Sequence, residues 1–261
     1  MIEVRHLTRT YLSRSSPKSK ESFVSVNDVS FSLLENTPYA LVGESGSGKS
    51  TLAMMLAAIL PPTNGEILLD GNNIWALSPK ELRLMHGEVQ LVLQNSQGAL
   101  DPRRRIYESI AEPLRKLRHL TRQEEQHTVH DILHKVQLQD DILMHFPSEL
   151  SGGQQSRVCI ARAMALAPRL IIFDESVSGL DVTVQKKVLD LLLNLRQEYQ
   201  NTFLFITHDI DVALYMADHI FVMKEGKIVE SITDAHGYDD FNHPYSRELI
   251  ESLPPKTPYN R

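Results

Sequence analysis

Cysteine is nearly missing from this chain. Its 261 residues include one, Cys159, which excludes an internal disulfide framework and any multi-cysteine metal or iron–sulfur centre within one chain. Cys159 stands among Val158, Ile160 and Ala161, a setting that suits a small buried hydrophobe. Long apolar runs are missing too. No stretch reaches the ~18 residues of a membrane-spanning helix, and the longest, such as Leu52–Leu60, have the length of buried helices. No charged-then-apolar leader opens the chain, so nothing is expected to span a membrane or direct secretion. Positive charge is not in excess: the net charge is −6, which weighs against a nucleic-acid surface. Internal repeats and low-complexity tracts are absent. What remains is 42% hydrophobic residues, enough for one large domain or two small ones. A soluble intracellular protein is expected.

Against this background one stretch stands out. Gly43-Glu44-Ser45-Gly46-Ser47-Gly48-Lys49-Ser50-Thr51 fits G-x-x-x-x-G-K-[ST]. Glycines let the backbone curl so that successive N–H groups face an anion. Lys49 is suited to the terminal phosphates and the Ser50 hydroxyl to Mg²⁺. Tyr39–Val42 reads as the strand entering this loop, and Lys49–Leu60 as the helix leaving it, stopped by Pro61-Pro62. The helix dipole adds to the phosphate site.

Around the loop the chain alternates. Met1–Leu12 reads as a strand, Arg14–Lys20 as an exposed, mobile hairpin loop, and Phe23–Leu34 as a second and third strand. Gly65–Asp70 reads as a strand followed by a turn at Gly71-Asn72. Ser78-x-x-Glu81 and Thr121-x-x-Glu124 are capping boxes, the first with Pro79 at the opening helical position. Gln90–Gln94 is a strand. From about Ser96 to Ala167 helices dominate, with Val129, Ile132, Leu133 and Val136 as one buried stripe. Strand and helix then alternate again: Leu170–Phe173, Thr183–Tyr199, Thr202–Ile206, Asp209–Ala217 and a hairpin over Ile220–Ser231 turning at Glu225-Gly226. The tail from Asp234 is expected to be weakly structured, with a short helix near Ser246–Ser252. The fold class expected is α/β: a P-loop core with a mixed sheet, an N-terminal antiparallel β subdomain and an inserted helical subdomain.

Two further features carry chemistry. The apolar strand Leu170–Phe173 ends in Asp174 and Glu175. Alone, paired acids at a strand end have a solvated turn as their competing reading. Beside a P-loop, Asp174 suits Mg²⁺ and Glu175 suits a general base. Second, Ser151-Gly152-Gly153-Gln154 opens a helix with Ser151 as a natural N-cap. Its bare first-turn N–H groups make a second anion cradle; a flexible Gly-Gly hinge is the competing reading. One chain thus carries two cradles and one P-loop lysine.

Together these motifs resemble the ATP-binding subunit of ABC transporters, over nearly the whole chain. Leu150-Ser-Gly-Gly-Gln154 looks like the family signature. Gln94 resembles the Q-loop glutamine, which contacts nucleotide and Mg²⁺. Ser178-Gly-Leu-Asp181 resembles the D-loop, His208 the switch histidine, and Tyr11 the aromatic residue that stacks on adenine. The resemblance implies one nucleotide-binding domain. Residues 1–95 and 168–232 would form the core with its antiparallel subdomain, 96–167 the helical signature subdomain and 233–261 a tail. It further implies that two such subunits pair head to tail, homo- or heterodimeric. Each ATP would lie between one chain's P-loop and the other's Ser151, Gly152, Gly153, Gln154 and Asp181. The partners implied are a second ATPase subunit, two transmembrane permeases and, through them, an extracytoplasmic substrate-binding protein, at the cytoplasmic face of the membrane.

Pro147–Gln154, Gln97–Pro102 and His243-Pro-Tyr-Ser-Arg-Glu-Leu249 are similar to the peptide/nickel importers. Ser176 departs from the usual Pro after the acid pair, and Gly179 from the usual Ala of the D-loop; both are expected to tune loop stiffness. Arg103–Arg105 reads either as a coupling contact to membrane subunits or as a solvated basic face. His219, His236 and His243 lack ligand spacing. The alternative class, an ATPase of DNA repair or chromosome maintenance, needs a long heptad coiled coil that is not present. A translation-type factor would join two such domains.

Overall fold

A computed structural model describes residues 1–16, 19–93, 96–177 and 179–253. Two sheets organise it. Strands β1 (Ile2–Ser16), β2 (Ser19–Leu33), β4 (Asn64–Leu69) and β5 (Asn72–Asn73) form an antiparallel sheet in the order β2-β1-β4-β5. The second sheet uses β3 (Pro38–Val42), β6 (Val89–Val92), β7 (Leu170–Asp174), β8 (Thr202–Thr207), β9 (His219–Lys224) and β10 (Lys227–Ile232), in the order β10-β9-β3-β8-β7-β6. The five strands from β9 to β6 run parallel, and β10 adds an antiparallel edge. β3, β7 and β8 are buried along their whole length, as parallel strands covered on both faces must be.

The two faces of β3 separate two cores. Tyr39 and Leu41 pack with α1 (Lys49–Leu56) and the antiparallel sheet, through Val4, Leu7, Val26 and Met55. Ala40 and Val42 face the opposite core. That core is closed by α4 (Ile106–Leu117), α5 (Arg122–Lys135), α6 (Gly152–Met164) and α7 (Val182–Tyr199). The period-2 alternation of one strand therefore feeds both layers. α2 (Pro79–Glu88), α3 (Ser96–Ala99), α8 (Ile210–Met216) and α9 (Pro244–Glu251) complete the set. Cys159 is buried in the helical core. Val129, Ile132, Leu133 and Val136 form the stripe expected of them.

Four expectations are corrected. The two strands expected over Phe23–Leu34 are one, β2, bent at Asp28 (φ 54°) with register shifts against β1. β1 and β2 also run through Arg14–Ser16 and Ser19–Lys20, where a loop was expected; Pro17 and Lys18 lie outside the described residues. Cross-strand pairing outweighs the polar composition. α1 stops at Leu56 rather than Leu60, with Ala58 at φ 53° ending the helix before the prolines matter. Up to Leu253 the tail is more ordered than expected: the short helix anticipated near Ser246–Ser252 is α9, beginning two residues earlier at Pro244, and Phe241, Tyr245 and Ser246 are buried.

Candidate active site

β3 delivers the chain to the carboxyl edge of the parallel sheet, where loops of α/β proteins collect ligands. The loop Gly43–Gly48 turns there into α1. Gly48, the residue before the helix, has φ +108°, and a Cβ on it would lie 2.2 Å from the Ser25 carbonyl oxygen. No side chain fits. Lys49 opens α1 with its side chain buried; Nζ donates to the carbonyls of Gly43 and Glu44, each at 2.7 Å. Burial pushes this ammonium below its usual range, against the pull of Glu175, Asp174 and Glu44. Other elements brace the loop. Gly226 N–H donates to the Ser47 carbonyl (2.9 Å), Ser25 Oγ to Thr51 Oγ1 (2.9 Å), and Glu44 N–H to the Tyr245 hydroxyl (3.2 Å).

β7 brings the acids to the same edge. Ser50 Oγ donates to Asp174 Oδ1 at 3.1 Å. Burial lifts the Asp174 carboxyl above its ordinary value, Glu175 adds to this, and Ser50 and Lys49 oppose it. Hydroxyl and carboxylate are hard oxygen donors that fit Mg²⁺. Among the described residues no three His, Cys, Asp or Glu side chains converge on a metal position. Glu175 follows at φ 47°, its N–H donating to the Ile206 carbonyl (2.9 Å). A glutamate in left-handed backbone costs energy, a cost found concentrated at functional sites. Its Oε1 lies 3.6 Å from His208 Nδ1, at the end of β8.

A cleft of about 450 Å³ opens over the loop, with Tyr11, Ser45, Gly46, Lys49, Ser50, Thr51 and Glu175 in its walls. This lies within the roughly 300–1,000 Å³ of small-molecule sites. Tyr11 is at its mouth with the Arg9 guanidinium 4.9 Å from the ring centroid, a cation–π contact that fixes one face. Phe23 and Ser25 also line the cleft and were not anticipated. Phe23 sits directly opposite Tyr11 in the β1–β2 register, so its sequence signal was the hairpin pairing rather than any motif.

The second cradle is elsewhere on the surface. Ser151 caps α6: its Oγ accepts from Gln154 N–H (3.3 Å), and Gln154 Oε1 accepts from Ser151 N–H (2.9 Å). The first-turn N–H groups of Gly152 and Gly153 have no acceptor within the helix. Asp181 caps α7, accepting from Val184 N–H at 3.0 Å. None of Ser151, Gly152, Gly153, Gln154 or Asp181 lines the P-loop cleft. Gln94 and Ser178 lie outside the described residues. The basic run is engaged within the chain. Arg103 pairs with Asp101 (3.1 Å), Arg104 with Glu112 (2.7 Å), and Arg105 donates to the Met144 carbonyl.

Known proteins share this fold. The family described as ABC transporter matches residues 26–178, more than half of the chain. The chain belongs to the ABC transporter family. Among its curated relatives, the "Probable peptide ABC transporter ATP-binding protein y4tS" of Sinorhizobium fredii is 40% identical over 233 residues, 89% of this chain and 66% of that protein. The "Nickel import ATP-binding protein NikE" of Brucella abortus is 38% identical over 258 residues, 99% of this chain and 97% of that one. Among solved structures, the dimeric post-hydrolysis state of the ATP-binding cassette MJ0796, bound to ADP and Pi, superposes with a TM-score of 0.80. It is 30% identical, covering 90% of this chain and 99% of that chain. This ABC protein is accordingly an ATPase, with ATP and Mg²⁺ as its nucleotide and ion, and an ATP-binding subunit of the importer kind.

Proposed function

We propose that this ABC ATPase works as half of a head-to-tail pair and powers uptake of peptides, nickel or related metal chelates through partner permeases. One observation carries the reading. The chain holds two anion cradles, and the cleft at Lys49 is lined by its own P-loop and Glu175 but not by Ser151–Gln154. A second chain supplies the missing wall. The cargo class follows relatives named for peptide and nickel transport.

Within the pair, Tyr11 stacks on adenine, and the backbone of Gly43–Thr51 and Lys49 hold the phosphates. Ser50 and Asp174, which meet at 3.1 Å, and Gln94, by its resemblance to the Q-loop glutamine, would hold Mg²⁺, which would supply positive charge against the phosphates. Glu175 draws the proton from the attacking water as general base. His208, within reach of Glu175, orients that water and the γ-phosphate. Ser151, Gly152, Gly153 and Gln154, with Asp181, close on the phosphates from the other chain. Residues 1–95 and 168–232 act as the core, 96–167 as the signature subdomain and 233–261 as the tail. Closure on ATP and release after hydrolysis drive the permeases between inward- and outward-facing states. An extracytoplasmic binding protein delivers the cargo to them. Among the described residues no helix is long and apolar enough to cross a membrane, which supports a peripheral seat at the cytoplasmic face. The test is dilution of the purified chain. Hydrolysis per chain falls as the pair dissociates, while ATP binding persists; hydrolysis per chain that is independent of concentration overturns the composite site.

A further inference from the structure

We infer that Tyr245, in the C-terminal helix α9, is a positioning residue for the P-loop. Its ring is buried, 3% exposed, and its hydroxyl accepts the Glu44 N–H at 3.2 Å, across 201 residues of sequence. Lys224 Nζ, at the end of β9, stands 4.3 Å from the ring centroid. The helix that carries Tyr245 is fixed in turn. Glu230 on β10 accepts from the N–H groups of Asn242 (2.6 Å) and His243 (2.9 Å) and from Ser246 Oγ, while His243 Nδ1 accepts from Tyr245 N–H (3.2 Å). Burial works to raise the Glu230 carboxyl, yet these donors hold it below its ordinary range. A continuous chain of contacts thus runs from β10 through the start of α9 to the P-loop backbone.

The Glu44 residue is held on both sides: N–H by Tyr245, carbonyl by Lys49. Reaching a phosphate draws Lys49 Nζ away from the Gly43 and Glu44 carbonyls. The Tyr245 hydroxyl then remains to keep Glu44 in register while the inward-facing N–H groups engage the anion. The tail also grips α8, which follows His208, through the Tyr238 hydroxyl and Asp211. Because Tyr245 holds the loop alike before and during reaction, its loss weakens nucleotide binding more than turnover.

The proposal rests on the reading that Lys49 and its loop hold the phosphates, and the test separates the two. Kd for ADP and ATP, and KM and kcat, are measured on the full chain for wild type, Tyr245→Phe and Tyr199→Phe. The control removes a second tyrosine hydroxyl, one that accepts from Lys135 Nζ (2.8 Å). Tyr245→Phe is expected to raise Kd and KM about three- to tenfold, the range of one neutral hydrogen bond, with kcat nearly unchanged. Tyr199→Phe leaves all four constants unmoved. Unaltered Kd and KM in folded Tyr245→Phe, or an equal shift in the control, overturns the proposal. Should Tyr245→Phe not fold, Glu230→Gln decides: it keeps ring and hydroxyl but weakens the anchor of α9. A rise in Kd supports the proposal, and an unchanged Kd overturns it. Lys49→Ala abolishes ATP binding if the loop reading holds. Retained ATP binding in Lys49→Ala overturns the loop reading and, with it, the proposal that rests on it.

Discussion

The two anion cradles of this chain are built on opposite principles. Around Lys49 everything is enclosed and tied: Lys49 and Asp174 are 4% and 6% exposed, and contacts arrive from β2, β7, the β9–β10 turn and α9. Ser151 and Asp181 are exposed, with Gly152–Gln154 half-buried between them, and each cap holds only its own helix. The first cradle is preorganised by the fold, so phosphate binding there costs little rearrangement. The second is rigid as a helix end but has no wall of its own. On the function proposed above, half-sites of these two kinds make a device in which chemistry waits for a second chain, while nucleotide binding does not.

The largest effect that sharpens this contrast comes from Glu175. It lines the P-loop cleft, meets His208, and sits in strained backbone at the end of β7. Glu175→Gln keeps the side chain's size and removes its basicity. Hydrolysis is expected to fall by roughly 10²–10⁴-fold, while ATP affinity, set by the enclosed cradle, stays within a few-fold. Single-turnover hydrolysis and equilibrium binding check the two halves separately. Wild-type hydrolysis in the variant would falsify the assignment of the base.

Asp174 tests the enclosure itself, through a modest gain in stability that accompanies the loss of activity. A carboxyl whose folded pKa stands above its unfolded value of 3.8 stabilises the fold fully only below that value. That contribution is lost as pH rises through the raised one. At neutral pH the ionised, buried Asp174 is therefore a net cost. Asp174→Asn keeps an oxygen for Ser50 and removes the charge. It is expected to raise stability by about 1 kcal/mol, or ~2–4 °C in Tm at neutral pH, with the gain vanishing near pH 4. Hydrolysis is expected to collapse, since Mg²⁺ loses its carboxylate. A melting temperature that falls, or a gain that persists at pH 4, would mean the carboxylate is better compensated than its burial implies.

The same contrast explains what was legible in the sequence. Lys49, Ser50, Asp174, Glu175 and Ser151 announced themselves because their chemistry needs fixed residue types at fixed spacing, and the capping boxes at Ser78, Thr121 and Ser151 formed as read. The parallel strands were readable as apolar runs. The bracing of the P-loop was not. Phe23, Ser25, Gly226 and Tyr245 reach the loop across strand pairs or the length of the chain, and no local pattern encodes such contacts. The burial of the tail was missed for that reason: its short helix was expected, but its Pro and His content reads as loop, and Phe241 and Tyr245 find a core made elsewhere.

The smallest effect belongs to the unenclosed half. Gly179 stands between the acid pair and Asp181 at φ +84°, and a Cβ there would meet nothing within 4 Å. The cost of Gly179→Ala is then purely conformational: about 1–2 kcal/mol for left-handed backbone, offset by roughly 0.4–1 kcal/mol from a stiffer unfolded chain. A net loss of about 1 kcal/mol corresponds to ~2–4 °C in Tm for a chain of this size. ATP affinity should not move, because Gly179 is outside the P-loop cleft and lines instead the smaller cavity between Glu175 and His208. Thermal melts with and without ATP measure both quantities on one sample. A raised melting temperature would show that the loop leaves the left-handed region in solution. A matching loss of ATP affinity would tie the exposed half to the enclosed one within a single chain, and the division between the cradles would fail.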